Sequence, residues 1–594
     1  METMEYLNRA VAAANEQYVT VAALMCGMGK STYISDRIAQ MLSSRTPEGM
    51  LIVTDEVQRM HSYLEPHDAE VRAVIQRHKG KVVVMSQENA DEAQRRSWNA
   101  PVFIITTQRY FRLTRKEIKQ LLKWSGGQRE LILFDEKLYL IAHKTLTTKT
   151  FTDVEAALQM GIDDTVEPEE KAWAISEWKR LAMRVQTAMD EYELLGDRQF
   201  YLYHRDAEGT LTADDDRFRR ILNDSRSKLL ACDANTIESI EAAAVMVKGG
   251  AVFVCRKRSS GQYEKSLHVA IDNQMKLLEL GAKVVVLDGT GDISPEYDLP
   301  FNRVMSDSSL KRDLSALTIE IYNVSASRSA LCGRGKKSRA RAVLNWLHRA
   351  MGEADVLFTY KELEQLAKEK FQRTAHFGNI KGRNDFRDAQ RIIQLGLNRF
   401  PPVHYYMLAL ALDPKEQWAL QHMDVNESKR YLSAKLDDHR FNEEIMTRCL
   451  LEDVEQNFFR SAIRNRDNDK QVTFTLVMNV KEHKAVVEAI QQRFGSLGAV
   501  VKQYPTPPEL QEEQILSRKN AEKSRTQLAM EWILAQPAGS GFKISEMLAA
   551  LEITAGQFEK MKERNQPFKA YMDSLKTDRR GYYRTPDNRS ECAG

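Results

Sequence analysis

The stretch Leu24–Thr32, LMCGMGKST, decides how the rest of this 594-residue chain is read. It follows an apolar run, Tyr18–Ala23 (YVTVAA), and precedes a helix-like run, Tyr33–Leu42. Strand, glycine loop, Lys-Ser and helix, in that order, are the layout of a phosphate-binding loop. Gly27 and Gly29 let backbone N–H groups turn inward around a phosphate chain, and the helix N-terminus adds the positive end of its dipole. On this reading Gly27, Met28, Gly29, Lys30, Ser31 and Thr32 cradle ATP. Lys30 reaches the β- and γ-phosphates, and the Ser31 hydroxyl ligates Mg2+. Leu24 stands where the full eight-residue pattern has its first glycine, so a tight turn capping a helix is the competing reading.

Length alone implies three to five domains. Hydrophobic content of 43% and charged content of 28% are ordinary for a soluble globular protein. A net charge of +3 gives no global field, so any nucleic-acid surface must be a local patch. Six cysteines are scattered without zinc spacing, which suits reduced thiols in the cytoplasm. The N-terminus METMEYLNRA is polar, and no apolar run approaches the ~18 residues that span a bilayer. The expectation is a cytoplasmic protein with no membrane partner.

Over residues 1–145 short apolar runs alternate with helix-like runs. Strands are predicted at Val19–Leu24, Met50–Thr54, Val82–Met85, Val102–Thr106 and Leu131–Phe134. Near-continuous apolar strands separated by helices indicate a parallel sheet covered on both faces. Glu167–Leu195 then places Trp178, Leu181, Val185, Ala188 and Tyr192 at helical spacing, with Asp163, Asp164, Glu167, Glu169 and Glu170 at its start. Residues 146–245 read as a helical insertion and 246–310 as the remainder of the first core, with strands at Ala251–Cys255 and Lys283–Leu287. A second α/β unit covers 311–500, with strands at Leu317–Tyr322, Val356–Thr359, Ile392–Leu395 and Val472–Met478. A linker at 501–514 contains YPTPP, and 515–594 form a C-terminal accessory domain.

About 100 residues beyond the phosphate loop, Leu131–Glu136 reads LILFDE, an apolar strand ending in two adjacent carboxylates. In phosphate-loop ATPases the first such acid holds Mg2+ and the second polarises the attacking water. Asp135 is therefore assigned to the metal and Glu136 to the water; a strand end with two solvated acids is the plainer alternative.

With these motifs in place the chain resembles the superfamily 2 DEAD/DEAH-box-like helicases, in particular those of phages and mobile elements. The resemblance covers most of residues 20–480. LMCGMGKST resembles motif I, and LIVTDEVQR, with Thr54 and Arg59, resembles the backbone-touching motif Ia. IITTQRYF, with Thr107 and Gln108, resembles the next backbone-binding motif. DEKL at Asp135–Leu138 is a variant of the DEAD/DEAH box, with Leu138 in place of Asp or His. VVLDGTGD stands where the family has its Ser-Ala-Thr motif, which implies coupling roles for Asp288 and Thr290.

The second unit continues the series. DVLFTYK, with Thr359, resembles motif IV. HFGNIKGRNDF resembles motif V and implies that Gly382, Asn384 and Asp385 meet the nucleotide or the strand. EQNFFRSAIR resembles motif VI, with Gln456 at the nucleotide and Arg460 and Arg464 as arginine fingers. Phe459 replaces the usual glycine, and the second arginine comes four residues after the first where three is commoner. A guanidinium from the opposing core stabilises charge on the γ-phosphoryl oxygens, so hydrolysis is gated by core closure.

The resemblance implies an α/β protein of two RecA-like cores with a helical insertion and a C-terminal helical domain, winged-helix-like or a lid. It further implies ATP, Mg2+ and nucleic acid, DNA more than RNA, with protein partners reached through the insertion or the C-terminal domain. GRGKKSRAR at 333–341 reads as a phosphate contact or a solvated loop, and the insertion as a strand-separating pin or plain core. Two functions remain open: an ATP-driven translocase or helicase, and an ATP-controlled nucleic-acid switch serving replication initiation or phage defence with little unwinding.

Overall fold

The computed structural model describes residues 2–44, 48–86, 89–196, 199–206, 216–233, 235–257, 262–333, 336–352, 354–380, 385–437, 443–465, 468–511, 525–551, 553–575, 577 and 581–585. Gly382, Asn384, Arg334, Arg579 and Arg580 lie outside them.

The first core is built from β1 (Val19–Ala23), β2 (Gly49–Thr54), β3 (Val82–Met85), β4 (Val102–Thr106), β5 (Lys123–Trp124) and β6 (Gly127–Asp135). An insertion contributes β7 (Ile141–Leu146), β8 (Phe200–His204), β9 (Ala251–Lys257) and β10 (Tyr263–Asp272), after which β11 (Lys283–Asp288) and β12 (Asn302–Met305) complete the core. Its sheet runs β12-β1-β11-β6-β2-β4-β3, parallel throughout, with β5 antiparallel on β6. Side chains alternate faces along a strand. Accordingly Met50 and Ile52 of β2 join one apolar cluster while Leu51 and Val53 join another. Every β2 residue is buried, as a strand with helices on both faces requires.

The second core holds β13 (Leu317–Asn323), β14 (Val356–Thr359), β15 (Thr374–His376), β16 (Arg391–Leu395), β17 (Val472–Met478) and β18 (Val500–Tyr504). They form an all-parallel sheet in the order β15-β14-β16-β17-β13-β18. Both cores are thus RecA-like in plan. One apolar cluster runs through both, uniting Ile52 and Leu133 with Ile319, Phe358 and Phe474.

The insertion carries the expected helices and, in addition, an antiparallel sheet ordered β7-β10-β9-β8. Helices Thr148–Gly161, Pro168–Glu193 and Thr236–Gly249 cover one face. Trp178 is fully enclosed there and donates its indole N–H to Phe151 O at 2.9 Å, a core role. The other face receives Pro402–Leu412 and Val425–Asp437, helices whose sequence position lies in the second core. Ser428 and Ser433 accept the N–H groups of Tyr203 and Tyr201, closing the edge of β8.

Near the C-terminus, helices Arg525–Leu534, Ile544–Ala550, Ala555–Arg564 and Gln566–Ser574 surround their own small core with the antiparallel pair β19 (Gly541–Lys543) and β20 (Tyr582–Arg584). Thr554 caps the third of these helices in a capping box with Gln557, and Phe558 faces the core. Among the described residues no helix is long and apolar enough to cross a membrane.

Candidate nucleotide site

β1 runs into the glycine loop, where Leu24 N donates to Asp288 O of neighbouring β11 at 3.0 Å. Gly27 and Gly29 have φ of 77° and 88°, a region that side chains other than glycine's rarely enter. Gly29 is the N-cap of helix Lys30–Ser43 and no side chain caps that helix. Its first turn therefore offers N–H groups to an anion. Lys30 Nζ bonds back to Leu24 O at 2.7 Å, while Ser31 and Thr32 are exposed at the cleft wall.

β6 ends in the paired acids. Asp135 is buried and accepts from the Tyr63 hydroxyl, whose oxygen in turn accepts from the Thr54 hydroxyl at 3.2 Å. Glu136 is the only non-glycine among the described residues with positive φ, 114°. Such backbone strain costs about 1–3 kcal/mol and collects at working sites. Arg59 closes the group: its Nη1 donates to Glu136 and lies 3.4 Å from Asp55 and 3.7 Å from Asp135. Burial and the charge of Glu136 push the Asp55 carboxyl up to about 8. Burial acts on Glu136 too, but Arg59 and a hydrogen bond from Asp55 outweigh it and hold Glu136 at about 2. Arg59 and Asp55 thus favour the ionised, hydrogen-bond-accepting form of Glu136.

The donor set fits a Mg-nucleotide. Among the described residues no three His, Cys, Asp or Glu side chains form a metal cage. Mg2+ needs none, being held by one or two carboxylates plus phosphate oxygens. Asp135 and the Ser31 hydroxyl are hard oxygen donors on one wall of a cleft of about 550 Å³. Arg59 shows that the carboxylates there already accommodate a cation.

The second core supplies the facing wall. Helix Glu443–Phe458 ends before Phe459, so Arg460 sits in a turn and not on a helical face. Gln456, Phe459, Arg460, Arg464 and Arg387 all line the cleft. Arg460 has no ion-pair partner among the described residues. Arg312, between the cores, donates to Cys26 O at 3.0 Å in the glycine loop and to Arg464 O at 2.9 Å. A Cβ on Gly27 would stand 2.0 Å from Arg312 Nη1, so glycine is what permits this approach.

Further ties cross between the cores. Asp288 is buried; it accepts from Thr290 N and Oγ1 at 2.9 and 3.0 Å and from the Tyr297 hydroxyl at 2.8 Å. Asp292, in the same VVLDGTGD stretch, pairs with Arg493 of the second core, which also holds the fully buried Glu455 at 2.5 Å. Lys137 joins Glu452 at 2.8 Å and Glu296 at 3.3 Å, all three nearly enclosed. Asp55, Tyr63, Arg312, Lys137 and Arg493 were not singled out from sequence. Only Asp55 and Lys137 carried a local signal, standing beside motif residues.

The residues expected at nucleic acid divide. Thr54 and Thr359 are completely buried, the first bonded to Tyr63 and the second with its hydroxyl unpartnered. Arg59 is buried among the carboxylates. All three are thus buried here, Thr54 and Thr359 at strand ends and Arg59 in the first helical turn after β2, where it lines the cleft. Thr107 lines the cleft and Gln108 is exposed at the start of helix Thr107–Arg112. Asp385 is exposed and does not line the cleft; its carbonyl accepts from Arg373.

No family model matches the chain, and no curated protein matches it. Among solved structures it is similar to S. tokodaii Xpd4, at 14% identity over 84% of this chain and 99% of that one, with a TM-score of 0.44. A variant of S. cerevisiae Dbp5 bound to RNA and ADP BeF3 is 9% identical over 86% of this chain and 93% of its own, with a TM-score of 0.29. Mss116p bound to ssRNA and AMP-PNP is 8% identical over 93% and 82%, with a TM-score of 0.31.

Proposed function

We propose that this protein is an ATP-hydrolysing nucleic-acid translocase or helicase, acting on DNA more than on RNA. The observation that carries the reading is a single cleft with the glycine loop, Asp135 and Glu136 on one RecA-like wall and Arg460 with Gln456 on the other. Bound Mg2+ would neutralise charge developing on the phosphates. Lys30 and the first turn of helix Lys30–Ser43 bind the phosphate chain, and Ser31 and Asp135 hold the metal. Ionised Glu136 takes hydrogen bonds from the attacking water and orients it. Arg460, and Arg464 behind it, bring positive charge from the second core, so turnover requires the two walls to meet. Asp288 and Thr290, locked to each other and to Tyr297, pass the state of the loop to Asp292 and thence to Arg493.

The ties at Arg312, Lys137 and Arg493 fasten the two walls to each other. That favours, as the second reading, a nucleotide-set switch with little unwinding. Steady-state ATP turnover of the wild type and of Glu136→Gln, with and without single-stranded DNA, duplex DNA or RNA, tests both. Stimulation by one polymer, lost in the variant, supports the motor. Turnover indifferent to every polymer supports the switch, and no turnover refutes both.

A further inference from the structure

A second cavity exceeds the nucleotide cleft in volume. A groove of about 1810 Å³ lies between the first core and the insertion, walled by helices Thr107–Arg112 and Arg115–Leu121 on one side and by β7, β10 and helices Asp216–Asp224 and Thr236–Gly249 on the other. Small-molecule sites occupy roughly 300–1,000 Å³, so this groove is too large and open for one compact ligand. Its lining holds eleven Lys and Arg side chains against five Asp and Glu, on a chain whose total charge is only +3.

Some of those cations are already paired: Arg115 with Glu279, Lys144 with Glu238 and Lys276 with Glu241. Arg109, Arg112, Lys116, Lys119 and Lys123 have no carboxylate partner among the described residues, and Arg109 Nε is buried without any hydrogen bond. Five cations without a carboxylate partner on one wall make a local positive patch that attracts an anion. Two rings, Phe111 and Tyr139, are 39% and 45% exposed on the same lining. Thr107 and Tyr139 line both the groove and the nucleotide cleft, so the two spaces adjoin.

We infer that this groove is the track for a single strand of nucleic acid, running between the first core and the insertion. The cations take backbone phosphates, which carry no sequence information. Phe111 offers a face on which a base stacks, and Tyr139, whose ring already meets the Lys137 ammonium, borders the track. The insertion is then the second wall of the polymer site and not a peripheral module. The inference rests on the proposed nucleic-acid-dependent function.

The test uses the full chain, a fluorescein-labelled oligo-dT and an oligo-U, read by anisotropy over a salt series. The variant Arg112→Glu/Lys116→Glu/Lys119→Glu should lose about tenfold or more in affinity, and the slope of log affinity against log salt should shrink by about 2. Phe111→Ala should weaken binding about tenfold with the slope unchanged. None of these side chains lines the nucleotide cleft, so affinity for a fluorescent ATP analogue should stay as in the wild type. If charge reversal prevents folding, Lys116→Gln/Lys119→Gln, both on the exposed face, carries the same expectation at reduced size. Wild type that binds the oligonucleotide, with variants that bind it equally, overturns the track and leaves the proposed function standing. Binding of the ATP analogue but of neither oligonucleotide overturns both. Displacement by polyglutamate as effective as by unlabelled oligonucleotide marks a general polyanion face and also overturns the track.

Discussion

The guanidinium of Arg493, on the second core, grips the carboxylate of Asp292, on the first, through hydrogen bonds of 2.7 and 3.0 Å. The same side chain reaches back to Glu455, which has no solvent exposure. One arginine thus neutralises a buried acid in its own core and fastens the neighbouring one.

These two duties separate by mutation. Arg493→Ala strands Glu455 as an uncompensated buried acid, and removing one partner of such a pair costs about 3 kcal/mol. Asp292→Ala removes a partner that is 40% exposed and should cost about 1 kcal/mol or less. Thermal melts of the two variants should rank in that order, and equal losses would refute the assignment.

Glu455 also predicts a pH dependence. Burial raises its carboxyl from the ordinary 4.5 to about 7, against the pull of Arg493. The native state therefore holds this proton more tightly than the unfolded chain does. The associated stability is fully present below pH 4.5 and is lost as pH rises to about 7. Glu455→Gln should flatten that part of the curve of melting temperature against pH, and an unchanged slope would show that another group titrates.

The strained backbone at Glu136 allows a comparison of two inactive variants. Glutamine keeps the side-chain shape but must still adopt a φ of 114°, whereas glycine adopts it freely. Glu136→Gly should melt higher than Glu136→Gln by an amount equivalent to about 1 kcal/mol, with both devoid of ATP turnover. The reverse order would place the strain elsewhere.

Gly27 and Gly29 both have positive φ but differ in surroundings. A methyl at Gly27 meets Arg312 and the Arg464 carbonyl, while one at Gly29 meets nothing within 4 Å. Gly27→Ala should weaken binding of a fluorescent ATP analogue at least about tenfold, or 1.4 kcal/mol. Gly29→Ala should lose less, about the 1 kcal/mol of its backbone strain. Titration of both variants decides the order.

Much of this was legible in the chain. The predicted runs are all strands, because buried strands are written as unbroken apolar runs such as MLIVT and LILF, but Ala251–Cys255, assigned to the first core, instead forms part of β9 in the insertion sheet. The insertion sheet was not legible: β7 (IAHKTL) and β10 (YEKSLHVAID) mix Lys, His and Ser with apolar residues and lack that signature. The cleft's two walls follow from motif spacing, yet Arg59 shows its limit. Spacing places it one helical turn past β2 but does not say whether the side chain points out to a polymer or in towards Glu136. Arg312 and Arg493 stand in no motif at all; only the meeting of the cores gives them partners.

The helices that back the insertion sheet have a mechanical consequence. Pro402–Leu412 and Val425–Asp437 belong by sequence to the second core, yet they are seated on β10 and β8 of a module threaded through the first. The insertion is therefore hinged on one half of the molecule and bolted to the other. A rotation between the cores would draw it along helices Thr107–Arg112 and Arg115–Leu121, as a crank pulls its rod, so that a small change at the cleft becomes a sliding displacement in the groove beside it.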